Sequence, residues 1–284
     1  IGIYLVIVSW LLVIREMVNS NLNKIRNLFL NGARYVFEYI LGIGAAIVFI
    51  GEVLSNILRG KIRFRELIKQ VYEQGAQSVG IIALTSLATG MVLALQGYVI
   101  LVRFGAKEYV AQLVSLSLVR ELSPVLSSIV FSGKSGARIS AELGSMKVND
   151  QILATRTLGV DPIEYFAVPR VIACFIVLPL LVVISEVLGV LGGFLIGTLE
   201  AKMAGAFYWQ RTITSIAFVD FFSGIIKTVF FSLLIGFVCC YQGFQTKGGS
   251  LGVGQYTTRA VAMCYILVII SNFVLTKVIL AVWG

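Results

Sequence analysis

The chain has 284 residues, of which 58% are hydrophobic and only 13% charged, with a mean hydropathy of +0.94. A soluble domain carries an apolar share of about 45 to 50% and cannot hide so much more, so the composition predicts an integral membrane protein built of helices. The net charge of +9 is spread between apolar segments rather than gathered on one face among aromatic residues, which speaks against nucleic acid as a partner. The chain has no histidine, and Cys174, Cys239, Cys240 and Cys264 lie inside apolar segments without CxxC spacing, which speaks against a metal site or a disulfide framework.

The chain opens on Ile1 rather than Met, which leaves its natural start open. Residues 1–14 are apolar but have neither a basic residue before them nor a small-residue cleavage site after them, so they read as a partial span or an interfacial stretch. Residues 35–58 are apolar but interrupted by Glu38, Gly42, Gly44, Gly51, Glu52 and Asn56. A basic run then carries Arg59, Lys61, Arg63, Arg65 and Lys69. Five long apolar stretches follow, with spans predicted at about 76–102, 109–132, 171–199, 216–243 and 259–282. With this layout one side holds Arg15 through Lys69 together with Lys134, Arg138, Lys147, Arg156, Arg170, Lys247 and Arg259, while the other holds Arg103, Lys107, Lys202 and Arg211. The excess of Lys and Arg marks the cytoplasmic or stromal side, which takes the 133–170 segment and leaves the C-terminus outside. It also predicts that 35–58 is an embedded or interfacial helix, since a crossing would strand the basic residues from Arg15 to Arg34 on the wrong face.

Gly189, Gly193 and Gly197 form a small-xxx-small series in the third span, which suits either close packing within one subunit or a seam between two. The sequence shows no internal repeat, which speaks against a transporter built from inverted halves.

Between the second and third spans, Asn149 reads as the N-cap of a short helix on the basic side. Val148 and Leu153 stand in staple positions, Asp150 in the first turn and Arg156 near the last, with Gly159 and Pro162 as stop signals. About nine residues at 1.5 Å each make a rod of roughly 13 Å. It is either an ordinary structured loop or a coupling helix that docks on a separate ATPase. Gly133, Lys134 and Ser135 spell GKS, but a phosphate-binding loop needs a glycine where Ser128 stands.

Four pieces, in order, resemble the MlaE family of lipid ABC transporter permeases, which includes the trigalactosyldiacylglycerol-type permeases of plastids. They are LTSLATGMVLALQGY (84–98), REL-P with GKSGARISAELGSMKVNDQ (120–151), LGVDPIEYFAVPRVIA (158–173) and TKGGSLGVGQYTTRAV (246–261). RELSPVLSSIV and GKIRFRE look most like cyanobacterial and plastid members. The resemblance covers about 60–284 and implies one permease domain over 34–284, preceded by an extension at 1–33 with no counterpart. It implies an all-α fold in which an N-terminal interfacial helix precedes five spans. It also implies a homodimer with two ATP-binding cassette subunits inside, an MCE-domain lipid-binding protein outside, and membrane lipids as cargo. ATP and Mg would be bound by the partner ATPase, with no cofactor, metal or catalytic residue in this chain. The host membrane would be a bacterial inner membrane of cyanobacterial type or the plastid inner envelope.

Arg120 and Glu121 follow an apolar run, where a charge costs about 2.5 to 3.5 kcal/mol on insertion scales. As neighbours on a helix they face different ways, so each needs its own partner in a structural ion network, in gating or at a lipid headgroup. Leu87, Leu95 and Tyr98 match family positions that line a lipid pocket between subunits, with Gln96 beside them; core packing is the alternative. Glu142, Lys147, Asp150, Gln151 and Arg156 are the candidates for the ATPase contact, against the alternative of a solvated face. Glu186 lies inside the third span outside any family motif, and Lys227 and Lys277 are read as snorkelling. The rival functional reading is an ion-coupled secondary transporter of a lipophilic substrate, for which Glu121 and Glu186 would be the relay acids.

Overall fold

The computed structural model describes residue 42 and residues 44–60 and 63–283, so the expected extension at 1–33 lies outside the described residues. The molecule divides into two units, residues 1–52 and 53–284, and the five long apolar helices all belong to the second. Every described regular element is helical. The interrupted segment holds α1, Gly44–Leu58, about 22 Å long and too short to cross the bilayer upright.

The spans are the helix α2 (Phe64–Arg103), a long broken helix from Lys107 to Val148, a third over Ile163–Leu199 whose body is α7 (Val168–Leu199), then α9 (Phe218–Phe244) and α10 (Gly249–Trp283). The second span runs as α3 (Val110–Ser117), a π-helical turn at Leu118–Leu122, α4 (Ser123–Phe131), a second π turn at Ser132–Gly136, and α5 (Ala137–Val148). Five spans stand where the apolar runs place them, but four of the five extend well past the predicted basic-side ends. α2 begins near residue 64 rather than 76, and the second span runs to Val148 rather than 132. Charged residues ended the sequence pattern there, whereas in the fold Glu73, Arg138, Glu142 and Arg170 neutralise one another across α2, α5 and α7 and these helices continue. GKS consequently lies inside a helical span, where Lys134 donates to the carbonyl of Gln77.

α2 packs along α7 in the most extensive helix pair of the bundle. Small residues make this possible: Ser86 and Ser185 hydroxyls meet at 2.6 Å, and a β-carbon on Gly90 or Gly192 would overlap the backbone carbonyl of Gly189 or Leu87 respectively. The glycine series is used within this chain. Gly189 lies under Leu118, while Gly193 and Gly197 lie under Tyr208, whose ring approaches a β-carbon position on Gly197 to 2.8 Å. Tyr208 belongs to α8 (Gly205–Ser215), a short helix between the third and fourth spans that the hydropathy pattern leaves as a loop. Its ring is fully buried and burial pushes its hydroxyl above the usual range.

The short helix on the basic side is α6, Gln151–Thr157, and its beginning differs from expectation. Asn149 closes α5 instead of capping α6, with its amide donating to Ser145 Oγ at 3.4 Å. Asp150 holds the N-cap position in left-handed backbone at φ 54° and makes no side-chain capping bond. Leu153 of the expected staple is exposed, and Ile152 is the buried residue of α6. A sharp reversal through one residue lets α5 run straight into α6, and it leaves no extended stretch in which Asn149 could cap. The far end follows the sequence: Gly159 at φ 78° receives the turn, with Val160 N–H donating to Thr155 and Gly159 N–H to Arg156.

Candidate functional site

Two clusters of charge lie along the bundle. The first sits where the π turn at Leu118–Leu122 faces α9 and α10. Arg120 Nε donates to Asp220 Oδ1 at 2.6 Å, and a second guanidinium nitrogen also bridges to that oxygen. Asp220 in turn accepts the Ala217 N–H at 3.0 Å, which fixes the first turn of α9. Glu121 takes Lys227 Nζ at 2.6 Å, Asn272 Nδ2 at 3.1 Å and the Thr276 hydroxyl at 3.1 Å, while Lys227 also donates to the Arg120 carbonyl. Adjacent residues of one π turn thus tie to two positions of α9 separated by two helical turns. A cavity of about 490 Å³ opens here, lined by Ser117, Arg120, Glu121, Asp220, Lys227 and Thr276. The lining residues of α9 and α10 lie near the span ends assigned to the basic-poor side.

Lys227 is 1% exposed and therefore buried in an ion pair, not snorkelling. Burial wins because Glu121 and a carbonyl satisfy its ammonium inside the bundle, which bulk solvent would otherwise do. Asp220 was absent from the sequence candidates. Its signal is nonetheless there: an acid and a base two turns apart in one apolar span complement the adjacent base and acid at 120 and 121.

A second cluster joins α2, α5 and α7 towards the basic side. Arg138 bonds Glu142 at 2.7 Å, Glu73 at 3.0 Å and the Gln77 side chain at 2.9 Å. Glu142 also accepts from Arg170 at 3.1 Å, and Arg170 donates to the Phe166 carbonyl at 2.8 Å. Arg170 is only 5% exposed, so Glu142 is the counter-charge of a buried guanidinium. Beside them Glu66, Lys69, Gln70, Glu73, Tyr165 and Arg170 line a cavity of about 360 Å³.

The remaining sequence candidates fall into two groups. Lys147, Asp150, Gln151 and Arg156 are exposed at the α5–α6 corner, with the apolar side chains of Leu153 and Leu158 exposed beside them. Glu142 is set apart from these four by its internal pairing. Leu95 and Gln96 face outward from α2, while Leu87 and Tyr98 are half-buried, and Tyr98 packs on the core around Val114 and Tyr208. Gln96 borders a shallow groove of about 330 Å³ with Thr89, Val92 and Leu122. Within one chain the four therefore do not close a common pocket; they border an open apolar face that includes Leu84, Val92 and Val99.

Comparison with known proteins gives a coherent set of likenesses. The family model described as Permease MlaE matches residues 67–278. A probable ABC transporter permease protein of Rickettsia typhi is 36% identical over 249 residues, covering 88% of this chain and 96% of the relative. The intermembrane phospholipid transport system permease protein MlaE of Haemophilus influenzae is 34% identical over 250 residues, covering 86% and 94%. The chloroplastic trigalactosyldiacylglycerol 1 protein of Arabidopsis thaliana is 35% identical over 227 residues, covering 80% of this chain and 65% of that protein.

Proposed function

The chain belongs to the MlaE permease family, a multi-pass permease subunit of the ATP-binding-cassette class, and on that premise we propose that it moves phospholipids or related glycerolipids between membranes as one half of a homodimer. Two separate ATPase subunits on the basic side supply the energy, binding the ATP and Mg, and an MCE-type lipid-binding protein works on the other side. The name of the Haemophilus relative supports the cargo class. The observation that carries the reading is the α5–α6 corner: a short helix with a buried anchor at Ile152 and a closed C-terminus, bearing exposed Asp150, Gln151, Arg156, Leu153 and Leu158.

The mechanism follows from how that corner is attached. A push on α6 is delivered to α5, and α5 is joined to α2 by Arg138–Glu73 and to α7 by Glu142–Arg170. Ion pairs have discrete partners, so a displacement is passed on as a rearrangement of helices rather than absorbed as bending. α2 carries Leu87, Leu95, Gln96 and Tyr98, whose open apolar face suits acyl chains when a second copy covers it. Arg120 and Glu121, at the charged cavity, serve as gate or headgroup contact. Reversing the charges at Asp150 and Arg156 together (D150K with R156E) is expected to abolish lipid-stimulated ATP hydrolysis in the reconstituted complex while the permease keeps its own thermal midpoint. Unchanged stimulation would remove α6 from the mechanism.

A further inference from the structure

Glu186 is the charge-bearing residue left over at the first cluster. It sits near the middle of α7, 5% exposed, and its Oε1 is buried with no hydrogen-bond partner. It faces Gly224 of α9: a β-carbon placed on that glycine would lie 3.5 Å from Oε1, 2.6 Å from the Val119 carbonyl oxygen and 3.5 Å from Pro124 Cγ. Positions 220, 224 and 227 share one face of a helix. The free carboxyl therefore meets α9 on the face that carries Asp220 and Lys227, against the π turn that carries Arg120 and Glu121.

Charge balance decides its state. The ionisable groups at this junction are two bases, Arg120 and Lys227, and three acids, Glu121, Asp220 and Glu186. Two acids have counter-charges and one has none. An unpaired carboxylate costs several kcal/mol where it is buried, and of the three acids Glu186, 5% exposed, is the one both buried and without a counter-charge, so the proton belongs there. Asp220 accepts Arg120 and a backbone N–H, and Glu121 accepts Lys227, Asn272 and Thr276, so both carboxylates have donors. Glu186 accepts none.

We propose that Glu186 is a proton-binding site and the alternative partner of Lys227. With the observed pairs closed, Glu186 is a neutral acid. When Lys227 turns from Glu121 to Glu186, Glu186 gives up its proton to the water of the cavity, and Glu121, whose side chain is 38% exposed there, keeps Asn272 and Thr276 as donors. What changes is the attachment of α9, from the π turn and α10 to α7. Neither the family assignment nor the lipid reading is needed for this inference.

Infrared spectroscopy of the purified full-length permease at neutral pH tests it without lipid cargo, nucleotide or partner. The wild type is expected to show the carbonyl stretch of a buried protonated carboxylic acid, and Glu186→Gln to lose it. Glu121→Gln is expected to lose it too, although Glu186 is intact, because Lys227 then pairs with Glu186. Tryptophan-fluorescence melting establishes that each variant is folded; should E121Q fail to fold, Glu121→Asp replaces it, and its shorter side chain, standing farther from Lys227, is expected to weaken the band. A wild type without the band, or a band unaffected by E186Q, overturns the proton site. A band undiminished in the folded Glu121 variant overturns the exchange.

Discussion

Glu142→Ala lowers the thermal midpoint of the purified permease with no other subunit present, by the equivalent of about 3 kcal/mol. Removing one partner of a buried pair costs more than the pair is worth, because the other charge stays behind without compensation. Here the stranded group is Arg170, 5% exposed, whose Nε already has no hydrogen-bond partner. Arg138 loses less, since Glu73 and Gln77 remain within its reach. Glu142 is itself partly exposed, which places the effect at the lower end of the range for buried pairs of about 3 to 5 kcal/mol. Lys147→Ala, five residues further on and exposed, changes stability by less than about 0.5 kcal/mol. Thermal unfolding in detergent, followed by tryptophan fluorescence, separates the two. Equal midpoints for E142A and K147A would return Glu142 to the set of surface contacts.

Gly90→Leu or Gly192→Leu prevents the bundle from closing, at a cost of at least about 3 kcal/mol. Extra volume in a packed interior is usually absorbed by neighbouring side chains, but at these two positions the atoms in the way are backbone carbonyls of the facing helix. Backbone cannot rotate aside, so α2 and α7 must separate, and the Ser86–Ser185 contact at 2.6 Å opens with them. Gly80 lies on the same helix as Gly90, and a β-carbon there would meet nothing within 4 Å. Gly80→Ala is accordingly neutral or stabilising by up to about 1 kcal/mol, through helix propensity. Yield of folded protein and its midpoint report the contrast, and a G192L variant as stable as the parent would contradict the close approach of α2 and α7.

The fold was legible wherever one physical signal dominates. Twenty-residue apolar runs located the five spans, and Gly159 followed by Pro162 located the end of α6. Where two signals compete, the chain alone misleads. Charged residues ended the apolar runs on the basic side, yet Arg138, Glu142 and Arg170 continue within helices because partners distant in sequence satisfy them. Asn149 is a favourable cap in any window read locally, but a left-handed Asp150 turns α5 directly into α6 and gives the cap no backbone to bond. α8 is amphipathic rather than apolar, so hydropathy passed over it; the glycines it covers were visible only as an unassigned series in the third span.

The candidate site was legible to the same degree. Arg120 and Glu121 stood out because charge inside an apolar run is costly, and the requirement for separate partners follows from helical geometry. Which residues those partners are depends on how the π turn aims each side chain, and that is written in the fold rather than in spacing. Leu87, Leu95, Gln96 and Tyr98 come from family positions, and within a single chain they border an open face.

ATP dependence of phospholipid movement, in proteoliposomes bearing the complex purified through a tag on this chain, tests the transport reading most directly. Labelled phospholipid is expected to move with ATP and to stop with a non-hydrolysable analogue. Movement indifferent to the nucleotide and driven instead by an imposed ion or proton gradient would contradict it.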